Sequence, residues 1–220
     1  MKTGAEALAR LCDPQAEVSC HYFIWETGDI VQMVPEGRRA WHAGLSSWAG
    51  FNDLNSRSIG IEIVNSGHDW LGQSGELPDF PDVQIAALIR LCADILLRHP
   101  IKPHAVLAHS DIAPGRKCDP GEKFPWDRLA KAGIGHWVAP APISAGVSYG
   151  LGDEGQPIRA LQALLGVYGS DLTMTGVYDE ATKRVVEAFQ RHFRPALVDG
   201  RADLSTLQTL RDLVAALPGV

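Results

Sequence analysis

Long apolar runs are missing from this 220-residue chain. No stretch of about 18 apolar residues occurs, which excludes an ordinary bilayer-spanning helix. A basic surplus is missing too: 20 Lys and Arg stand against 26 Asp and Glu, for a formal net charge of −6. The cations are scattered, so the basic face that a phosphate backbone requires is not there, and no nucleic-acid partner is expected. Cysteine is scarce. Cys12, Cys20, Cys92 and Cys118 include no C-x-x-C pair, which excludes a zinc knuckle or a thioredoxin-like motif and leaves free buried thiols as the expectation. Cys118 adjoins Asp119, yet ligands from adjacent residues would point in different directions, so the thiol is left out of any metal shell. The opening residues, MKTGAEALARLCDPQ, lack the apolar h-region and small-residue cleavage site of a signal peptide.

What the chain does contain is ordinary globular material, enough for two domains. Apolar residues make up 45% and charged residues 21%, so disorder is not indicated. Thr3 followed by Glu6 fits a capping box, with Leu8, Leu11 and Cys12 on one helical face. SCHYFIWE and DIVQMVP read as two antiparallel strands joined at Glu26-Thr27-Gly28-Asp29. RSIGIEIVN, from Arg57 to Asn65, predicts a strand with Ile59, Ile61 and Ile63 on one face and Gly60, Glu62 and Val64 on the other. Val83 to His99 carries the broad apolar stripe of a long helix. Ala105 to His109 is predicted as a short buried strand. Strands and helices interleave, so the first domain is α/β (α+β), a mixed sheet with flanking helices. At Trp137 the composition changes to the uncharged VAPAPISAGVS, an extended linker. Three short amphipathic helices follow, near 156–165, 180–192 and 204–216. The expected division is a domain over 1–137, a linker over 138–150 and a three-helix domain over 151–220.

Three segments carry chemistry. AHSDIAPGRKCDPG, Ala108 to Gly121, packs a histidine, a lysine and two aspartates into a Gly/Pro-stiffened loop. His109 and Asp119 can reach one Zn²⁺ if the chain doubles back at Pro114, Gly115 and Pro120; a solvated loop with an incidental histidine is the plain alternative. Glu62 lies in a strand of apolar or small residues, where desolvation would raise its pKa into the range of a general acid or base, unless it faces solvent. Trp41-His42-Ala43-Gly44 places an aromatic beside an imidazole, which suits sugar or peptide contact or simply closes a core.

Taken in order, the HY-containing strand, the GDIVQMVPE hairpin arm, RAWHAG, SIGIEIVN, the long helix and AHSDIAPGRKCDPG with FPW after it resemble one family from about Thr3 to Trp137. It is the zinc-dependent N-acetylmuramoyl-L-alanine amidases of the type 2 amidase fold, a group that includes peptidoglycan recognition proteins. The C-terminal RALQ helix, TGVYDEAT and the VEAFQ helix are similar to the three-helix peptidoglycan-binding module. The resemblance implies His109 and Asp119 as two of three zinc ligands, Glu62 as general base and Lys117 as the cation beside the tetrahedral intermediate. Trp41, His42, Asn55 and Arg57 would line the groove, the arginine pairing with a stem-peptide carboxylate. It also implies peptidoglycan and muropeptides as partners and a periplasmic or outer-membrane-associated location; on oligomeric state the sequence is silent, and a monomer is the default expectation.

One part of the family pattern is missing. The first zinc ligand should be a histidine in an opening strand before the first helix, and the sequence has no such strand. His21 falls in the next strand, and His42 and His68 lie in loops of different register. Two protein ligands make a weak catalytic zinc site, since such sites normally use three plus water. The expectation is therefore weak zinc binding, with Met1 an internal methionine of a longer reading frame. The other reading is a peptidoglycan-binding protein that has given up catalysis.

Overall fold

The computed structural model describes residues 2–69, 71 and 75–217. Helix α1, Gly4–Cys12, starts where the sequence places it: the Glu6 amide donates to the Thr3 hydroxyl, and the Thr3 amide donates to the Glu6 carboxylate. That reciprocal cap is worth about 1 kcal/mol. Strands β1 (Tyr22–Ile24) and β2 (Ile30–Gln32) pair antiparallel, with Gly28 at φ 84° in the turn between them. A two-residue hairpin, β3 (Ser47–Trp48) with β4 (Phe51–Asn52), precedes β5 (Ile61–Ile63). The strand β5 pairs parallel with β1, with Phe23 opposite Glu62, giving a mixed sheet of order β2-β1-β5.

Alternation along these strands sorts their side chains between two cores. Tyr22, Ile24, Ile61 and Ile63 meet Ile85, Leu88 and Ile95 of helix α2, Asp82–Arg98. Phe23 and Val64 turn the other way, onto Cys20 and the Leu8 and Leu11 stripe of α1. Burying each large aliphatic side chain contributes about 2 kcal/mol. The sheet is thus held on both faces, and Glu62 rides on a strand whose neighbours are fixed by burial.

The segment 105–109 is not a strand. Pro103–Ala105 is a 3-10 turn and His109–Ile112 is a single helical turn, α3, while among the described residues no strand pairs with 106–108. Strand-like alternation survives without a ladder, since Val106 packs on the sheet core and Leu107 on the second core. Helix formation wins at His109 because the Asp111 carboxylate accepts from the Ala108 amide at 2.7 Å and the Ala113 amide returns to the His109 carbonyl. Helix α4, Trp126–Lys131, follows.

Beyond it, residues 138–147 run without helix or strand to β6, Ser148–Tyr149. The helices α5 (Gln156–Tyr168) and α6 (Glu180–Phe193) come next, then strand β7 (Ala202–Asp203), which pairs with β6, and helix α7 (Leu204–Ala215). The segment read as a linker is pinned midway: the Ala141 amide donates to Thr209 Oγ1 and its carbonyl accepts from Ser205 Oγ, both on α7. Leu161, Leu165, Val186, Phe189 and Leu210 form one core with Ala43, Trp48 and Leu54 from the first half of the chain. No described helix is long and apolar enough to cross a membrane.

Candidate active site

The loop of residues 108–121 does double back. The Ser110 amide donates to the Asp119 carbonyl at 3.1 Å, and the Arg116 and Lys117 amides both return to the Ala113 carbonyl. Gly115 sits at φ 77° and Gly121 at φ 90°, conformations that glycine adopts without strain. This closure carries Asp119 back to His109, whose Nδ1 lies 3.0 Å from Asp119 Oδ2.

The other face of the His109 ring is occupied by a backbone acceptor, with Nε2 3.2 Å from the Ala43 carbonyl. Donation there leaves Nδ1 as the nitrogen turned toward Asp119. The Ala43 carbonyl is itself held by Arg116, whose Nη2 donates to it at 2.8 Å and to the Leu45 carbonyl at 2.7 Å. From the opposite side Asn55 Oδ1 accepts from the amides of His42 and Ala43 at 2.9 and 2.7 Å. The Asn55 side chain therefore holds the Trp41–Gly44 segment in place. Neither Arg116 nor the Ala43 carbonyl is legible from the sequence, because the partners are 66 and more residues apart.

Glu62 joins this group across β5. Crowding by surrounding protein raises its pKa, and the nearby negative charge of Asp119 raises it further, while His109 and Lys117 pull in the other direction. Its side chain nonetheless keeps contact with solvent. For Asp119, burial alone would raise the pKa, but the hydrogen bond and charge of His109, with Lys117 behind them, hold it below the ordinary aspartate range. His42 is pushed down to about 4 by burial, with His21 and His109 adding like charge, so it is a neutral imidazole at neutral pH. Its ring meets His21 edge-on at 5.5 Å. Trp41 is half exposed, while Arg57 is exposed and stacks 3.9 Å over the Phe51 ring.

The donor types of His109 and Asp119 suit zinc, but the number does not. Among the described residues no third His, Cys, Asp or Glu joins them in a group that could hold a metal ion. The pair by itself falls one protein ligand short of an ordinary catalytic zinc site.

Comparison with known proteins finds relatives for both parts of the chain. Residues 1–122 match the N-acetylmuramoyl-L-alanine amidase family, and residues 154–210 match a family of peptidoglycan-binding domains. The chain is 43% identical over 213 residues to N-acetylmuramoyl-L-alanine amidase AmiD of Escherichia coli K12, covering 91% of this chain and 74% of that protein. It is 40% identical over 112 residues to 1,6-anhydro-N-acetylmuramyl-L-alanine amidase AmpD of Citrobacter freundii, covering 51% of this chain and 55% of AmpD. Among solved structures, the complex of E. coli AmiD with anhydro-N-acetylmuramic acid-L-Ala-D-gamma-Glu-L-Lys superposes with a TM-score of 0.81 at 39% identity, covering 96% of this chain and 84% of that one. AmpDh3 of Pseudomonas aeruginosa gives 0.80 at 34% identity, covering 100% and 89%.

Proposed function

The chain belongs to the N-acetylmuramoyl-L-alanine amidase family, and from that premise we propose that it hydrolyses the amide between muramic acid and L-alanine in peptidoglycan or in anhydro-muropeptides. The observation that carries this reading is the gathering of Glu62, His109, Lys117 and Asp119 within electrostatic reach of one another beside β5. Relatives solved with anhydromuramyl peptides bound support the substrate class.

Amide hydrolysis needs a proton taken from water, a place for the carbonyl's developing charge, and a proton for the departing amine. Glu62 takes the water proton and passes it to the amine. Its raised pKa brings it nearer the range where it can do both, and its solvent contact gives water a route. Lys117, on the loop that turns at Gly115, offsets the oxyanion charge. Trp41, His42 and Arg57 line the groove, with Arg57 placed for a stem-peptide carboxylate, and Asn55 fixes the segment that carries the first two. Zinc is the metal that His109 and Asp119 suit, and two protein ligands should hold it loosely. Residues 1–137 form the amidase domain, 138–150 the connection and 151–220 the peptidoglycan-binding module, acting on the cell wall in the periplasm or at the outer membrane as a monomer.

The donor count favours one other reading, a peptidoglycan-binding protein without turnover. Glu62→Gln in the full chain separates the roles. Release of peptide from anhydro-muropeptide should fall at least about 100-fold, with zinc content by mass spectrometry and sedimentation with peptidoglycan unchanged. Retained turnover removes Glu62 as the base. A wild-type chain that sediments with peptidoglycan but releases no peptide at any zinc concentration establishes the second reading.

A further inference from the structure

The two halves of the chain meet at the loop that bears His109. Helix α6 touches that loop at two places. Near its start, the aliphatic part of Arg184 lies over Gly115 so closely that a Cβ there would stand 2.8 Å from Arg184 Cγ. Near its end, His192 Nδ1 donates to Asp111 Oδ2 at 2.7 Å, with the two side chains only 3% and 4% exposed.

Asp111 connects this contact to the site. Its same carboxylate oxygen accepts from the amide of Ala108, the residue just before His109. The donor is fixed in turn, because the His192 imidazole is stacked between the rings of Trp126 at 3.7 Å and Phe193 at 3.8 Å. A carboxylate buried to this degree is tolerated only where donors fill its lone pairs. One donor comes from the catalytic loop and the other from α6. The surroundings are equally shared. Trp48 and Leu54 lie in one core with α5 and α6, Tyr168 Oη bonds the His136 ring at 3.0 Å, and the Gly169 carbonyl accepts from the Ala49 amide at 2.7 Å. A tether whose only task is to hold substrate nearby needs none of this.

We propose that the C-terminal module is a structural part of the catalytic site, with His192 a positioning residue that sets His109 through Asp111 and the first turn of α3. This role rests on the amidase reading of His109. It adds that the module's helix determines the order of the loop itself, beyond any hold it has on peptidoglycan.

The test uses the full chain and two replacements of one ring. His192→Phe fills the slot between Trp126 and Phe193 but donates nothing, while His192→Asn keeps an N–H donor and gives up the stack. Amide hydrogen exchange is followed over 108–113, with α2 and α7 as internal references. Turnover of anhydro-muropeptide and sedimentation with peptidoglycan are measured on the same samples. In His192→Phe, exchange over 108–113 should quicken at least about tenfold while α2 and α7 stay as in wild type. kcat should fall about 10- to 100-fold with KM within about twofold, and sedimentation should not change. His192→Asn should restore most of the protection and of kcat. Arg184→Ala, an exposed trim that leaves the buried pair alone, should quicken exchange over 113–117 only. The proposal is overturned by wild-type exchange over 108–113 in His192→Phe, by an equal rise in α2 and α7, by His192→Asn no better than His192→Phe, or by an unmoved loop in Arg184→Ala. Because exchange is read without turnover, an inactive wild-type chain would sink the amidase reading and still leave this one to be judged.

Discussion

At Gly60 one added methyl group should press directly on the His42 ring. A Cβ at this position would stand 2.6 Å from Nδ1 and 2.7 Å from Cδ2 of His42, roughly 1 Å inside the separation of about 3.5 to 4.0 Å that non-bonded heavy atoms prefer. Neither side gives way cheaply. The Gly60 amide donates to His21 Nδ1 at 3.0 Å and its carbonyl accepts from the His21 amide at 2.9 Å, so the glycine is clamped to the start of β1. The His42 ring lies edge-on to His21, and its backbone is tied to Asn55. Backbone strain does not enter, because the φ of Gly60 is outside the left-handed region. Overpacking by one methyl group costs about 1 to 3 kcal/mol, and with both partners held the loss should be about 2 kcal/mol, or roughly 4 to 8 °C in Tm for a chain of this size. A double-mutant cycle isolates the cause. His42→Ala removes the ring that the new methyl meets, so Gly60→Ala should cost little in that background and the coupling should be at least about 1 kcal/mol. Chemical denaturation of the four proteins measures it. Strict additivity, or a Gly60→Ala protein as stable as wild type, would refute the steric argument.

Other perturbations test other parts of the same structure. Gly169→Ala adds a Cβ 2.5 Å from Trp48 Cε2 at a φ of 134°, and should cost about 3 kcal/mol in denaturant unfolding; a loss under about 1 kcal/mol would show that α5 and the β3-β4 hairpin are not packed as described. Arg194, fully buried, donates to the Leu197 carbonyl, Thr206 Oγ1 and Asp203, so Arg194→Met should destabilise by about 3 kcal/mol, and a neutral result would refute that network. Glu36 bonds Arg98, Tyr22 and His99, and the Arg98 guanidinium leads in holding its carboxyl down to about 2. A depressed carboxylate stabilises fully above its ordinary range near 4.5 and loses that contribution as pH falls through 2. Acid unfolding of wild type should therefore steepen between about pH 4.5 and 2, and Glu36→Gln should flatten it while costing about 1 kcal/mol at neutral pH; parallel curves would refute the assignment.

How much of this could be read from the sequence depends on how far apart the partners are. The Thr3 and Glu6 cap, the hairpin at Gly28, the alternation of Ile61 and Ile63 and the stripe of α2 all depend on residues a few positions apart, and each is where the pattern places it. The loop closure that joins His109 to Asp119 was also legible, because Pro and Gly restrict ten residues to few paths. Segment 105–109 misleads for a physical reason: its burial alternates as in a strand, but the local bond from Ala108 to Asp111 captures the backbone first. The family resemblance places Asn55 at the groove, but the two amides that its oxygen accepts from, those of His42 and Ala43, lie 13 and 12 residues away and leave no local pattern. Segment 138–150 reads as an extended linker, and composition carries no record that Thr209 and Ser205, more than 60 residues away, hold it at Ala141.

The same distance rule explains why the surroundings of the site were the least visible part of it. His109 is fixed from three directions: Asp119 at Nδ1, the Ala43 carbonyl at Nε2, and the turn of α3 through Asp111. Each of these is held by something remote. The Ala43 segment is gripped by Arg116 on one side and Asn55 on the other, and Asp111 is gripped by His192, 81 residues downstream. A histidine free to rotate would spread its donor nitrogen over several positions, and a metal or a polarised water would then bind at the cost of ordering it. Here that ordering is supplied by the fold. The rigidity around His109 thus keeps its ring and the Asp119 carboxylate at a defined separation, and with no third donor beside them among the described residues that pair alone would hold a metal only loosely.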